Sequence, residues 1–263
     1  MTDDVGASTG LPLAGISILV TRPLHQAERT AQAIAAAGGE AIIFPTIAIE
    51  PLRDDSALHD LGERMTGYDM AIFVSANAVE RGLAYLPSSW QVPPGMIIAA
   101  VGEATKKALR EHAIEVVLAP EERHDSEALL ALAPMRQVSG KRIVIFRGEG
   151  GREFLADSLR ARGAQVFHAA CYRRVRPEHD ASFLRSRWRT GNIAAVSALS
   201  LESLLNLYHM LDAEMQALLV STPVLVPHPR VAEAAAARGF SDVRVTGTGD
   251  DALIESLLSC RKQ

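Results

Sequence analysis

The chain has 263 residues, 48% of them hydrophobic and 5% aromatic, with 27 basic and 31 acidic side chains and a formal net charge of −4. That apolar fraction with so balanced a charge excludes a disordered chain, and a pI near 6.1 leaves no basic footprint for nucleic acid. The length exceeds the ~100–150 residues of a common single domain and suffices for two compact lobes.

Residues Met1 to Gly10 are polar, with Asp3 and Asp4 and no basic segment followed by an apolar one. They read as a frayed tail and not as a signal peptide. Short apolar runs then recur as candidate buried strands: Ile16 to Val20, Ala41 to Phe44, Met70 to Val74, Ile97 to Val101 and Val116 to Leu118. The second half repeats the rhythm at Arg142 to Phe146, Val166 to Ala170, Ile193 to Val196, Val224 to Val226 and Val243 to Val245. None alternates cleanly, as expected of strands covered on both faces in a parallel sheet.

Helical patterns lie between most of them. Residues 25–37 carry Ala27, Thr30, Ala31, Ile34 and Ala35 at helical spacing before Gly38-Gly39, a C-terminal stop. Residues 103–112 and 152–162 behave alike, the latter stopping at Gly163. Asp125-Ser126 and Asp250-Asp251 read as acidic N-caps of the helices that follow them. Regular alternation of strand and helix argues an α/β architecture with parallel sheets.

The two halves also match each other. Gly15 to Arg22 overlies Gly140 to Arg147 without gaps, and the same offset carries Glu28 onto Glu153 and Gly38 onto Gly163. Ala71 to Ser75 overlies Ile193 to Ser197, and Asp125 to Leu129 resembles the region around Asp251 to Leu253. A duplication of one strand–helix set makes two similar lobes, whose ligand sites are expected outside the carboxyl ends of the strands.

Familiar catalytic motifs are missing. Gly148 and Gly150 begin a dinucleotide fingerprint, but Glu153 stands where its last glycine belongs. No phosphate loop, HExxH or GxSxG occurs, and the histidines show no ligand spacing, so neither a cofactor nor a metal is expected. Cys171 and Cys260 form no CxxC pair and read as reduced thiols of a cytoplasmic protein. No run approaches the ~18 apolar residues of a membrane span.

The loops after the strands carry more. They are Val20-Thr-Arg-Pro23, Phe73-Val-Ser-Ala-Asn-Ala-Val79, Ala100-Val-Gly-Glu-Ala-Thr105 and Cys171-Tyr-Arg-Arg-Val-Arg-Pro177. In this order and spacing, from about Ile16 to Leu258, they resemble the uroporphyrinogen-III synthase family. The resemblance implies two doubly wound, flavodoxin-like parallel-sheet lobes joined by a two-stranded antiparallel ladder. Ile42 to Leu52 and Phe167 to Arg176 would be the crossing strands. One lobe would hold residues 1–44 with 177–263, the other 53–167, with the ladder in 45–52 and 168–176.

It further implies a hydro-lyase that dehydrates and cyclises hydroxymethylbilane to uroporphyrinogen III, inverting the last pyrrole ring, with the substrate held in an interdomain cleft. The partner would be that small molecule, received by transient handover from the preceding enzyme. Neither nucleic acid nor membrane would take part, and the protein would be a cytoplasmic monomer. Tyr172 matches the tyrosine that the family carries on its returning ladder strand and would assist loss of the hydroxyl; a hinge residue is the alternative.

Substrate carboxylates would meet the helix starts at Ser75, Ala76 and Asn77 and at Gly102, where free N–H groups point outward. Thr105 and Ser197 would add hydroxyl donors. Arg22 and Arg147, equivalent in the repeat, each stand at a strand's carboxyl end, with Gly148 beside the second. Either arginine could bind a carboxylate or sit in a structural ion pair. Val226-Pro-His-Pro-Arg230 departs from relatives that carry a glycine and threonines there, so Arg230 would take over that contact. The competing reading is a two-lobed binding or regulatory module for an anionic small molecule, without catalysis.

Overall fold

A computed structural model describes residues 11–260 apart from Glu122, His124 and Thr248. Residues 1–10, read above as a tail, and the side chain of Cys260 lie outside the described set. The strands, in chain order, are β1 (Ser17–Val20), β2 (Glu40–Ile43), β3 (Ala48–Glu50), β4 (Met70–Phe73), β5 (Ile97–Ala100), β6 (Val117–Leu118), β7 (Arg142–Gly148), β8 (Gln165–Val175), β9 (Ala195–Ser197), β10 (Val224–Val226) and β11 (Val243–Val245). They form two sheets, and the chain divides into two compact units, residues 1–48 with 175–263 and residues 49–174.

The first unit holds a five-stranded sheet in the order β11-β10-β9-β1-β2, with every neighbour parallel. Its central strands are buried on both faces: Leu19 joins one apolar cluster, Ile18 and Val20 the other. The helix Leu24–Ala36 covers one face through Ala27 and Ile34. The helix Leu201–Met210 covers the other through Leu204 and Leu207. Double burial is why these strands are mostly apolar and free of alternation.

The second unit holds a six-stranded mixed sheet in the order β3-β8-β7-β4-β5-β6, with β3 as its antiparallel edge. The ladders from β8 through β6 are all parallel. Ala71 and Phe73 of β4 point into one cluster, Met70 and Ile72 into the other. Phe73 stacks on Phe146 at a centroid distance of 4.4 Å.

Numbered by position in the repeat, both five-strand parallel cores have the flavodoxin order 2-1-3-4-5. The halves of the chain have traded parts to make them. β1 and β2 from the first half pair with β9 to β11 from the second, while β7 and β8 from the second pair with β4 to β6 from the first. The chain leaves the first unit at Ala48/Ile49 and returns at Arg174/Val175, inside β3 and at the end of β8.

Three expectations need correction. The stretch from Ile42 to Leu52 is two strands, not one: β2 stops before Phe44-Pro45, where proline has no N–H for the ladder, and β3 starts at Ala48. The last apolar run of the second sheet is much longer than Val166 to Ala170, because β8 continues through polar residues to Val175. Asp250 and Asp251 do not precede their helix; they are its first two residues, in Asp250–Cys260.

Between β2 and β3 the chain is pinned by hydroxyls. Thr46 Oγ1 lies 2.9 Å from Ser203 Oγ and donates to Ser203 O at 3.0 Å, while Thr21 Oγ1 lies 2.6 Å from Ser203 Oγ. All three residues are buried, so the network satisfies itself without water.

Candidate active site

In the second unit, β4, β5 and β7 run parallel, so their carboxyl ends lie along one edge of the sheet. Ser75 follows β4 and is the N-cap of the helix Ala76–Leu83: its backbone is extended, and its Oγ accepts from Ala78 N at 3.1 Å. Ala76 and Asn77 are that helix's first residues, as the sequence predicts. Gly102 follows β5 and is the N-cap of the helix Glu103–Glu111, with no side chain to occupy the terminus. Thr105 is buried against the body of the unit.

β7 is central in the sheet, and β8 lies between it and the edge strand β3. Their register advances by one residue after Arg147, so Gly148 faces Tyr172 and not Cys171. The Tyr172 ring lies against Gly148: a Cβ there would stand 2.8 Å from Tyr172 Cε2. Glycine is therefore the only residue that admits the ring at this place. So seated, and only 4% exposed, Tyr172 brings its hydroxyl to 3.1 Å from Ser75 Oγ. Cys171 turns inward, where its Sγ donates to Arg147 O at 3.3 Å. Burial pushes this thiol up to about 12, which makes it an inert packing residue.

Arg147 ends the apolar part of β7. Its NH1 donates to Glu153 Oε1 at 2.7 Å and to His168 Nδ1 at 3.2 Å, and its NH2 donates to Gly150 O. The other ring nitrogen, His168 Nε2, lies 3.1 Å from Arg160 NH2. Nε2 stands 3.1 Å from Glu153 Oε2. Burial, with the charges of Arg147 and Arg160, lowers the His168 pKa against the pull of Glu153. For Glu153, desolvation raises the pKa, but the Arg147 hydrogen bond and the neighbouring positive charges outweigh it and leave the carboxyl lowered.

In the first unit, Arg22 follows β1 and NH1 donates to Asp250 Oδ1 and Thr30 Oγ1 at 2.8 and 2.7 Å. Thr30 Oγ1 also donates to Asp250 Oδ1 at 2.8 Å. Burial lowers the Arg22 pKa, and Asp250 opposes that shift. Ser197 departs from its repeat partner Ser75. It is the last residue of β9, fully buried, and its carbonyl accepts from Thr21 Oγ1 at 2.9 Å. The helix that follows is capped three residues later by Ser200, whose Oγ accepts from Ser203 N. The Ser197 side chain therefore belongs to the unit's interior and not to a ligand surface. Arg230 is exposed in the first turn of Pro229–Ala236.

Local spacing gives no sign that His168 and Asp250 meet the arginines, or that Arg160 stands beside Glu153. His168 sits mid-strand with no motif around it, and Asp250 meets Arg22 across 228 residues. In the sequence Glu153 stands as the repeat match of Glu28 and as the residue that breaks the dinucleotide fingerprint.

Two α/β units with flavodoxin-like parallel cores, each with an arginine after the first strand of its sheet, define the class of this protein. The model of the family described as uroporphyrinogen-III synthase HemD matches residues 28–254. A protein named uroporphyrinogen-III synthase from Salmonella typhimurium is 33% identical, over 92% of this chain and 100% of that one. Its namesake from Escherichia coli is 32% identical over the same shares. Among solved structures, a mutant uroporphyrinogen III synthase from Thermus thermophilus aligns with a TM-score of 0.61 at 16% identity, covering 94% of this chain and 100% of that one. A uroporphyrinogen-III synthetase from Helicobacter pylori aligns over the same shares with a TM-score of 0.57, also at 16% identity. These two show the shared fold. The chain belongs to the uroporphyrinogen-III synthase family. No helix among the described residues is long and apolar enough to cross a membrane.

Proposed function

We propose that this chain is a lyase of tetrapyrrole biosynthesis that converts hydroxymethylbilane to uroporphyrinogen III. The observation that carries this reading is the match over nearly the whole chain to relatives bearing that name. The reaction removes water, inverts the last pyrrole ring and closes the macrocycle. Left alone, the linear substrate closes without inversion, so the protein's task is to bring one ring carbon to the electrophile in place of its neighbour. Holding such a geometry and excluding water asks for placed donors more than for a strong acid.

The second unit supports these roles. Ser75 Oγ already accepts from Ala78 N–H, so its own proton can go to the Tyr172 oxygen. The phenol proton is then available to the departing hydroxyl, and Tyr172 acts as its hydrogen-bond donor or acid. The helix starts at Ser75-Ala76-Asn77 and at Gly102 offer N–H groups to acetate and propionate arms, and Arg147 offers a guanidinium. Arg230, exposed at a helix start in the first unit, offers another. The protein works as a cytoplasmic monomer without a cofactor and receives its substrate by transient handover from the enzyme that makes it.

The test couples the full-length protein to an enzyme that generates hydroxymethylbilane, oxidises the products and separates the porphyrin isomers. Isomer III in excess is expected. Isomer I alone would overturn the reading.

A further inference from the structure

Arg147, His168 and Arg160 surround one carboxylate. Glu153 Oε1 accepts from Arg147 at 2.7 Å; Oε2 lies 3.1 Å from His168 Nε2 and 3.8 Å from Arg160 NH1. The Arg147 side chain is 10% exposed, yet that of Glu153 is 51% exposed. Glu153 is the N-cap of the helix Phe154–Ala161, but its side chain makes no capping hydrogen bond. Glutamate is a poor residue for an N-cap, and here its carboxylate is turned to the arginines instead. On the cationic side Arg147 and His168 are fixed, while Arg160 is 42% exposed and also pairs with Asp157 at 3.1 Å. Arg147 is also tied to Gly150 O, in a loop whose Gly150 and Gly151 take positive φ, and His168 is held within β8. The anionic side is a long, half-exposed chain on a loop.

The counterpart in the first unit is built the other way. Arg22 and Asp250 are each only 14% exposed, and Thr30 holds the same Asp250 oxygen. Removing Asp250 would leave a guanidinium buried without its charge partner, so that pair cannot exchange. Glu28, the repeat equivalent of Glu153, is not Arg22's partner.

We infer that Arg147, His168 and Arg160 form a carboxylate-binding site which the protein's own Glu153 fills when no ligand is present, and that an arm of the substrate displaces it. An incoming carboxylate would take over both oxygen positions and keep the Arg147 and His168 hydrogen bonds, so the exchange leaves no buried group unpaired. This rests on the reading that the substrate carries carboxylate arms, and it assigns one arm to this cluster.

The probe is succinate, titrated into full-length protein with 15N-labelled histidine while the His168 ring signals are followed; succinamide is the uncharged control. Glu153→Gln should bind succinate about three-fold more tightly than the unaltered protein, the scale of one competing exposed ion pair. Arg147→Gln should abolish the shift. In the coupled assay, Glu153→Gln should lower KM for hydroxymethylbilane by a similar factor. Unchanged or weaker succinate binding in Glu153→Gln overturns the exchange, even if isomer III is formed and the functional reading stands. Tighter binding with isomer I alone supports the site and overturns the reaction.

Discussion

Arg22 and Arg147 occupy the same place in two copies of one sequence pattern, at the carboxyl end of the first strand of a flavodoxin-like sheet. Arg22 is closed in by Asp250 from a helix 228 residues away, with Thr30 completing the cluster. Arg147 is met by Glu153, only six residues on, across a glycine turn. The difference follows from the exchange of halves. In the first unit, the segment that returns to pack beside Leu24–Ala36 is Asp250–Cys260, which brings an acid with it. In the second, Asp125 at the start of the helix Ser126–Ala131 caps it through Ala128 N and pairs with Arg123, leaving Arg147 to a local carboxylate. Both guanidiniums are buried; the acid that meets Arg22 is buried with it, and the acid that meets Arg147 is half-exposed.

The sharpest way to break this contrast is Asp250→Ala. If Arg22 is locked, its loss should cost about 3 kcal/mol, because a poorly hydrated guanidinium is left unpaired. Trp188 is buried in the first unit, and Trp90 is the only other tryptophan. Urea unfolding followed by Trp188 emission in a Trp90→Phe background therefore reports on that unit. Adding Arg22→Met should recover most of the loss. A shift no larger than that of an exposed pair would make the two arginines alike.

A smaller effect is expected from Gly148→Ala. The new methyl would sit 2.8 Å from Tyr172 Cε2 and 2.9 Å from Cζ, so the ring must move. Overpacking of this kind costs about 1–3 kcal/mol. The move would also lengthen the Ser75–Tyr172 contact and slow formation of isomer III. Unchanged turnover with a normal fold would separate Tyr172 from the chemistry while leaving the Arg147 site intact.

The smallest effect concerns His168, a titrating partner that Arg147 has and Arg22 lacks. Its folded pKa lies below the ordinary 6.5. Between that lowered value and 6.5 the unfolded chain binds a proton that the folded one does not. Stability from this group is thus complete above pH 6.5 and declines as pH falls. His168→Gln should flatten the drop in the urea midpoint between pH 7.5 and pH 5.5, read from Trp90 in a Trp188→Phe background. An unaltered slope would mean that His168 does not titrate against the fold.

Most strands could be read from the chain because burial on both faces leaves an apolar run of about four or five residues, too short for a helix. β3 could not, since three residues, Ala48-Ile-Glu50, carry no period. The helix starts at Ser75 and Gly102 were legible because capping is local: the donor and acceptor lie within three residues of each other. Ser197 looked like Ser75 for the same local reason and proved different, because its surroundings come from β1 and from Thr21.

The sequence by itself determined the local vocabulary: apolar strands, capped helices, the glycine at 148 and a duplicated pattern that puts an arginine after the first strand of each half. Only the tertiary structure decided which half supplies each arginine's neighbours, and so which guanidinium has a buried acid for a partner and which a half-exposed one. Charge pairing acts through space over a few ångströms, and contacts between residues hundreds of positions apart leave no trace in local spacing.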